Sequence, residues 1–223
     1  MILAAGRGER MRPLTDSTPK PLLPAGGKPL IAWHVQALAA AGFTRLVVNH
    51  AYLGAQIEAY LSDGKEWGLE IVCSAEARAL ETAGGIAHAL PLLGNEPFLV
   101  VNGDIWTDYD YRRMRNIDLA GKLAHLVLVD NPSYYPAGDF ALSGHLVSDD
   151  IEPRLTFSGI GCYHPDLFAG IADNEPAPLA PLLRHAMRQG GVSGERHAGV
   201  WFDIGTPSRL AELDTLLRMK YGC

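Results

Sequence analysis

The chain is short of several features that would each announce a function. Its 223 residues hold three cysteines, Cys73, Cys162 and Cys223, too far apart for a Cys-x-x-Cys pair. That spacing offers no zinc or dithiol motif, and isolated thiols suit a reducing compartment, so a cytoplasmic protein is expected. No apolar run approaches the roughly 18 residues of a membrane span. The first residues lack the basic and apolar regions of a secretory leader. Basic charge is scarce too: 19 Lys+Arg against 25 Asp+Glu leave a net charge of −6. That balance argues against a nucleic-acid or membrane partner. Internal repeats and low-complexity linkers are missing. What remains is an ordinary globular composition, 48% hydrophobic and 20% charged, for which a single domain over residues 1–223 is expected.

Hydrophobic periodicity then divides the chain. Residues 1–4 form an apolar run, as for a buried strand. Residues 29–41 read as a helix, with Leu30, His34, Leu38 and Ala41 on one face and Gly42 as its stop. Strand patterns follow at 45–49, 69–73, 98–101 and 124–129. Between them lie helical patterns on Leu53, Ile57 and Leu61, over 84–93 and over 109–114. This alternation predicts an α/β fold with a doubly wound, mostly parallel sheet. Ligands of such sheets sit at the carboxyl ends of the strands. Later the pattern changes: a hairpin over 140–147, a strand over 155–163 interrupted by Gly159 and Gly161, and a helix over 179–189. A short strand or loop follows at 200–205, then a final helix capped by Thr206 and Pro207.

The densest chemistry stands at the start. Ala4 and Ala5 lead into Gly6 and Gly8, and Arg7, Arg10, Arg12 and Lys20 follow. Glycines expose backbone N–H groups to an anion and the cations neutralise it, which suits a polyphosphate. It is not a P-loop, because Glu9-Arg10 stands where Gly-Lys-Ser/Thr is required. A dinucleotide fingerprint also fails, since Met11 takes the place of the third small residue and Pro13 interrupts a helix. Two aspartates are candidate metal ligands. Asp104 follows a buried strand and Gly103, so it would project from the sheet edge. Asp203 lies among Trp201, Phe202 and Ile204, where a carboxylate needs a partner.

The run Leu3-Ala4-Ala5-Gly6-Arg7-Gly8-Glu9-Arg10-Met11-Arg12-Pro13-Leu14-Thr15, with Pro19-Lys20-Pro21 beyond it, resembles the signature of the sugar-1-phosphate nucleotidylyltransferases, or nucleotide-sugar pyrophosphorylases. The likeness extends over nearly the whole chain. Leu80-Glu81-Thr82-Ala83-Gly84-Gly85, residues 102–110 and residues 126–132 bring it nearest to the uridylyltransferases among them. The resemblance implies a Rossmann-like sheet of nucleotide-diphospho-sugar transferase (GT-A-like) architecture. A nucleotide-binding half of about residues 1–110 and a sugar-binding half of about 111–223 would make it up. It implies transfer of a uridylyl group from UTP to a sugar 1-phosphate, with Mg2+ held by Asp104 and Asp203.

By the same resemblance Arg10, Lys20 and Asp104 would be catalytic. Ala4, Ala5, Gly6, Gly8, Glu9, Arg10, Glu76, Thr82, Gly84 and Asn102 would bind the nucleotide. A carboxylate at Glu76 could accept the N3–H of uracil or the N1–H of guanine, so it leaves the base open. Ala83 stands where related loops carry glycine. Asp139, Glu152, Ser158 and Gly159 would meet the sugar. A guanylyl- or thymidylyltransferase acting on mannose, glucose or heptose 1-phosphate stays open, as does a non-catalytic nucleotide-sugar-binding module. A retired site would have no need of Arg10, Lys20, Asp104 and Asp203 together. No hexapeptide repeat of the kind that builds trimers is present, so a monomer is expected.

Overall fold

A computed structural model describes residues 1–222 of the chain. The strands are β1 (Ile2–Leu3), β2 (Pro24–Ala25), β3 (Lys28–Pro29), β4 (Arg45–His50), β5 (Glu70–Ala75), β6 (Phe98–Asn102) and β7 (Ile105–Thr107). They continue as β8 (Ala124–Val129), β9 (Phe140–Ser143), β10 (Leu146–Ser148), β11 (Arg154–Tyr163), β12 (Val192–His197) and β13 (Trp201–Asp203). The helices are α1 (Leu30–Ala40), α2 (Gly54–Leu61), α3 (Glu81–Leu93), α4 (Arg112–Arg115), α5 (Leu179–Arg188) and α6 (Pro207–Tyr221).

Nine strands form one sheet in the order β5-β4-β1-β6-β11-β8-β12-β10-β9. Its first four are mutually parallel. Beyond them β11 runs antiparallel to both β6 and β8, so the second half mixes directions. Alternation along β6 shows how the sheet is covered. Val101 points to a core shared with Val35 and Leu38 of α1 and Ile57 of α2. Val100 points to the opposite core, shared with Ile86 of α3 and Leu183 of α5. Helices on both faces bury these apolar strands, as the doubly wound pattern requires. A third core lies apart from the sheet. There Leu210, Leu213 and Leu217 of α6 meet Met11, Leu23, Trp106 and Ile204. No helix of the described residues is long and apolar enough to cross a membrane.

Three departures from the sequence pattern matter. The helix expected over 109–114 shrinks to α4, because Tyr109 and Tyr111 are buried and the Asp110 carboxylate accepts from Arg112 N at 3.1 Å, closing a turn instead. Strand β12 was hidden by its polar sequence. It pairs with β8 in parallel, and a Cβ on Gly194 would lie 2.6 Å from Val147 Cγ2, so that strand tolerates no side chain there. Strands β7 and β13 form a small antiparallel ladder of their own, too short to read from alternation. Cys223 lies outside the described residues, while Cys73 and Cys162 are free thiols.

Candidate active site

The N-terminal loop leaves β1 between β4 and β6. Ala4 N donates to Asn49 Oδ1 at 2.9 Å, which fixes where the loop departs. Gly6 faces open space, since a Cβ there would meet nothing within 4 Å. Gly8 has a left-handed φ of 67°, and a Cβ on it would lie 3.0 Å from Thr15 Cγ2 and 3.3 Å from Lys20 Cβ. The loop therefore folds back over Lys20, and Thr15 Oγ1 locks the turn by donating to Gly8 O at 2.9 Å. Fully buried Met11 anchors the turn in the α6 core. From outside, Tyr52 Oη donates to Asp16 O and Gln56 Nε2 to Ser17 O, each at 3.0 Å.

Asp104 is delivered by the end of β6. A Cβ on Gly103 would stand 2.6 Å from Leu3 O, so glycine lets the two strand ends close up. Lys20, almost fully buried, donates from Nζ to Asp104 Oδ2 at 2.7 Å. Asp203 arrives through the β7–β13 ladder, where it pairs with Ile105, and Ile204 N donates to Asp104 O at 2.8 Å. Arg209 Nη1 donates to Asp203 Oδ2 at 2.6 Å, and the Arg209 guanidinium lies 3.4 Å over the Tyr134 ring. Two carboxylates distant in sequence thus meet at one end of the ladder, Asp203 on its last rung and Asp104 just before β7, each held on Oδ2 by a cation. Oδ1 of each has no hydrogen-bond partner among the described residues. Hard oxygen donors with free lone pairs, facing one cleft, fit a divalent ion of the Mg2+ type.

Beneath the ladder, His34 Nε2 donates to Ile105 O at 2.8 Å, because a carbonyl can only accept. Burial lowers the His34 pKa to about 4, so the ring is neutral and acts as a strut. Arg10 makes no ion pair or hydrogen bond among the described residues, and its guanidinium flanks Gly205 at the same cleft.

Three cavities meet here. One of about 220 Å³ lies under the loop, lined by Ala4, Ala5, Gly6, Lys20, Thr82 and Asp104. A second of about 420 Å³ holds Arg10, Asp104, Tyr134, Trp201, Asp203 and Arg209. The third, about 460 Å³, is lined by Glu81, Asp139, Phe157 and Arg184. Asn102 lines all three, so they are compartments of one cleft. Asp104 stands where the first two join.

Several expected residues sit elsewhere. Glu76 does not reach the cleft. It is buried, with Oε1 accepting from Asn49 Nδ2 at 2.6 Å and Oε2 from Leu80 N at 2.9 Å. Both oxygens are committed to holding β4 and the start of α3. Gly84 packs on the chain at 175–177, where a Cβ would be 2.4 Å from Glu175 O. Gly159, at φ 81°, makes room for Asn102, whose side chain a Cβ would meet at 2.6 Å. Ser158 lines the second cavity, but its buried Oγ donates to Val127 O at 2.7 Å. Asp139 faces the third cavity while accepting from Tyr135 Oη and Phe157 N. Glu152 lines none of these cavities and pairs with Arg154 at the surface. Glu9 is exposed and lines none of these cavities.

Asn49, Glu81, Tyr134 and Arg209 were not foreseen. Glu81 has a left-handed φ of 59° at the first residue of α3 and lines two of the cavities. Backbone strain of that kind in a non-glycine residue persists where surrounding contacts impose it. Arg209 was legible in principle as the cation a carboxylate at Asp203 needs, in the first turn of α6.

The chain is similar to several known proteins. Residues 1–135 match the family described as Nucleotidyl transferase. An N-acetylmuramate alpha-1-phosphate uridylyltransferase of Neisseria meningitidis serogroup B (strain ATCC BAA-335 / MC58) is 55% identical, over 97% of this chain and 96% of that protein. One of the same name from Caulobacter vibrioides (strain ATCC 19089 / CIP 103742 / CB 15) is 37% identical over 95% and 96%. A mannose-1-phosphate guanylyltransferase catalytic subunit beta of Drosophila melanogaster is 30% identical over 93% of this chain, which spans 59% of that protein. A solved structure from Bacillus anthracis, assigned as a glucose-1-phosphate thymidylyltransferase, superimposes with a TM-score of 0.86 at 22% identity, covering 97% of this chain and 94% of the other. That likeness bears on the fold alone. The match over residues 1–135 and the nearly end-to-end likeness to two uridylyltransferases show that the chain belongs to the nucleotidyl transferase family.

Proposed function

We propose that the chain transfers the uridylyl group of UTP to N-acetyl-α-muramic acid 1-phosphate, giving UDP-N-acetylmuramate and pyrophosphate, a reaction that serves reuse of cell-wall sugars. The observation that carries this reading is the convergence of Lys20, Arg10, Asp104 and Asp203 where the first two cavities join. The substrate pair rests on the two uridylyltransferases that match nearly end to end.

An oxygen of the sugar phosphate attacks the α-phosphorus. A new O–P bond forms and the bond to the β-phosphate oxygen breaks. The nucleophile is already ionised near neutral pH, so no general base is required, and the neutral, buried His34 supplies none. The work of the protein is to hold two anions together in line. Backbone groups of Ala5, Gly6 and Gly8 cradle the phosphates. Lys20, in the crevice beside Asp104, neutralises the α-phosphate or the sugar phosphate. Arg10, with no ion pair or hydrogen bond among the described residues, faces the charge that develops on pyrophosphate. Asp104 and Asp203 hold Mg2+, which supplies charge neutralisation to the phosphoryl group when bound. Thr82 and Asn102 sit on the nucleotide side, and Asp139 on the sugar side.

Pyrophosphate release measured across the four nucleoside triphosphates and a panel of sugar 1-phosphates tests the assignment. UTP with N-acetylmuramate 1-phosphate is expected to give the highest kcat/KM. A preference for GTP with mannose 1-phosphate would overturn it.

A further inference from the structure

Outside the cleft, three elements bring a soft and borderline donor set together. His50 ends β4, Cys73 lies on β5, and Glu58 lies on α2. Register places Cys73 opposite Val48, so the thiol and the imidazole share the face that α2 covers. His50 Nε2 and Glu58 Oε1 are 2.8 Å apart, and one ligand atom from each of the three residues lies within 4.8 Å of the others. The imidazole is fixed by packing: a Cβ on Gly54 would fall 2.0 Å from His50 Nδ1, so the ring fills the space that glycine leaves. His50 is buried, Cys73 half-buried and Glu58 exposed, which leaves an entry path from solvent through α2.

We propose that His50, Glu58 and Cys73 form a second metal site, selective for Zn2+ over Mg2+, with the fourth tetrahedral position open to water. Imidazole nitrogen, thiolate sulfur and one carboxylate oxygen are zinc donors, whereas Mg2+ demands oxygens and octahedral geometry. To reach the roughly 3.3–3.6 Å between donors around a tetrahedral Zn2+, the His50–Glu58 pair opens from 2.8 Å while the wider separations, at most 4.8 Å, close. Binding releases the Cys73 thiol proton to solvent, since the thiolate is the ligand, and the proton that His50 Nε2 directs at Glu58 Oε1 moves to Nδ1 so that Nε2 can ligate. The ion ties α2 to the sheet. Gln56 of α2 and the preceding Tyr52 hold the N-terminal loop at Ser17 and Asp16, so occupancy stiffens the element that braces the phosphate loop from outside.

The test titrates the full-length chain, with Mg2+ in excess, first with Co2+ and then with Zn2+. A thiolate-to-cobalt absorption band is expected to saturate at one equivalent, to be displaced by Zn2+, and to vanish in Cys73→Ser. Glu58→Gln should weaken Zn2+ binding at least about tenfold. Zn2+ should raise the melting temperature of the wild-type chain and leave that of Cys73→Ser unmoved. Pyrophosphate release by Cys73→Ser with Mg2+ should equal that of the wild type, which separates this site from the catalytic one. A missing cobalt band, a band that persists in Cys73→Ser, or equal Zn2+ affinity in the two chains would overturn the site.

Discussion

The two halves of the sheet solve the problem of siting polar groups differently. In the parallel half, β1, β4 and β6 end together, and what they present to the cleft is largely backbone and short side chains: Ala5, Gly6, Asn102. The long polar side chain there, Glu76, is turned underneath to hold Asn49 and Leu80. In the mixed half the cleft wall consists of side chains: Tyr134, Phe157, Trp201, Arg209. Its small polar residues are spent on the sheet itself, as Ser158 is on Val127. A phosphate chain common to every nucleotide can be met by backbone, whereas telling one sugar from another needs distinctive side chains.

Substitutions can test that division. The largest effect is expected at the junction. Asp104→Asn keeps an oxygen for Lys20 and should leave the melting curve near that of the wild type. It should cut kcat by about a hundredfold to a thousandfold. Near-normal turnover would remove Asp104 from the chemistry. Next comes the strut below the ladder. Burial takes the His34 imidazole from 6.5 to about 4, so between those values the unfolded chain binds a proton the native chain does not. Stability complete above pH 6.5 is therefore lost as pH falls toward 4, by about 3 kcal/mol from this group. His34→Gln, which keeps a donor for Ile105 O but does not titrate, should flatten that part of the curve in urea unfolding at stepped pH. The smallest effect falls in the parallel half. Glu76→Gln replaces one of two buried acceptors by a donor and should cost about 1–3 kcal/mol in denaturant unfolding. The UTP to GTP preference of that variant should not move. A changed preference would mean that Glu76 reads the base after all.

The fold was legible because its signals are periodic. Apolar runs such as residues 98–101 and the faces of α1 and α6 follow from the order and spacing of apolar residues alone. Asp104 was legible for the same reason, as the residue thrown off the end of a buried strand. Glu76 follows strand β5 in a similar way, yet its side chain goes under the floor. The difference is Gly85: a Cβ there would stand 2.6 Å from Glu76 Oε1, so its absence opens the space the carboxylate takes. Such an event is decided by a helix packed from elsewhere, and no local pattern carries it. Strand β12 escaped notice because a Val-Ser-Gly-Glu-Arg-His strand is recruited by its parallel partner rather than by its own hydrophobicity. The cation on Asp203, Arg209, belongs to the helix that follows, and only the fold brings it back.

The ladder that joins Ile105–Thr107 to Trp201–Asp203 also governs when activity can first arise. During synthesis the glycine loop, Lys20 and Asp104 are all made before Asp203. Asp203 is translated well after Asp104, so on the proposed function a polypeptide stopped between the two would carry the glycine loop without the second carboxylate. Such a fragment should not turn nucleotide over.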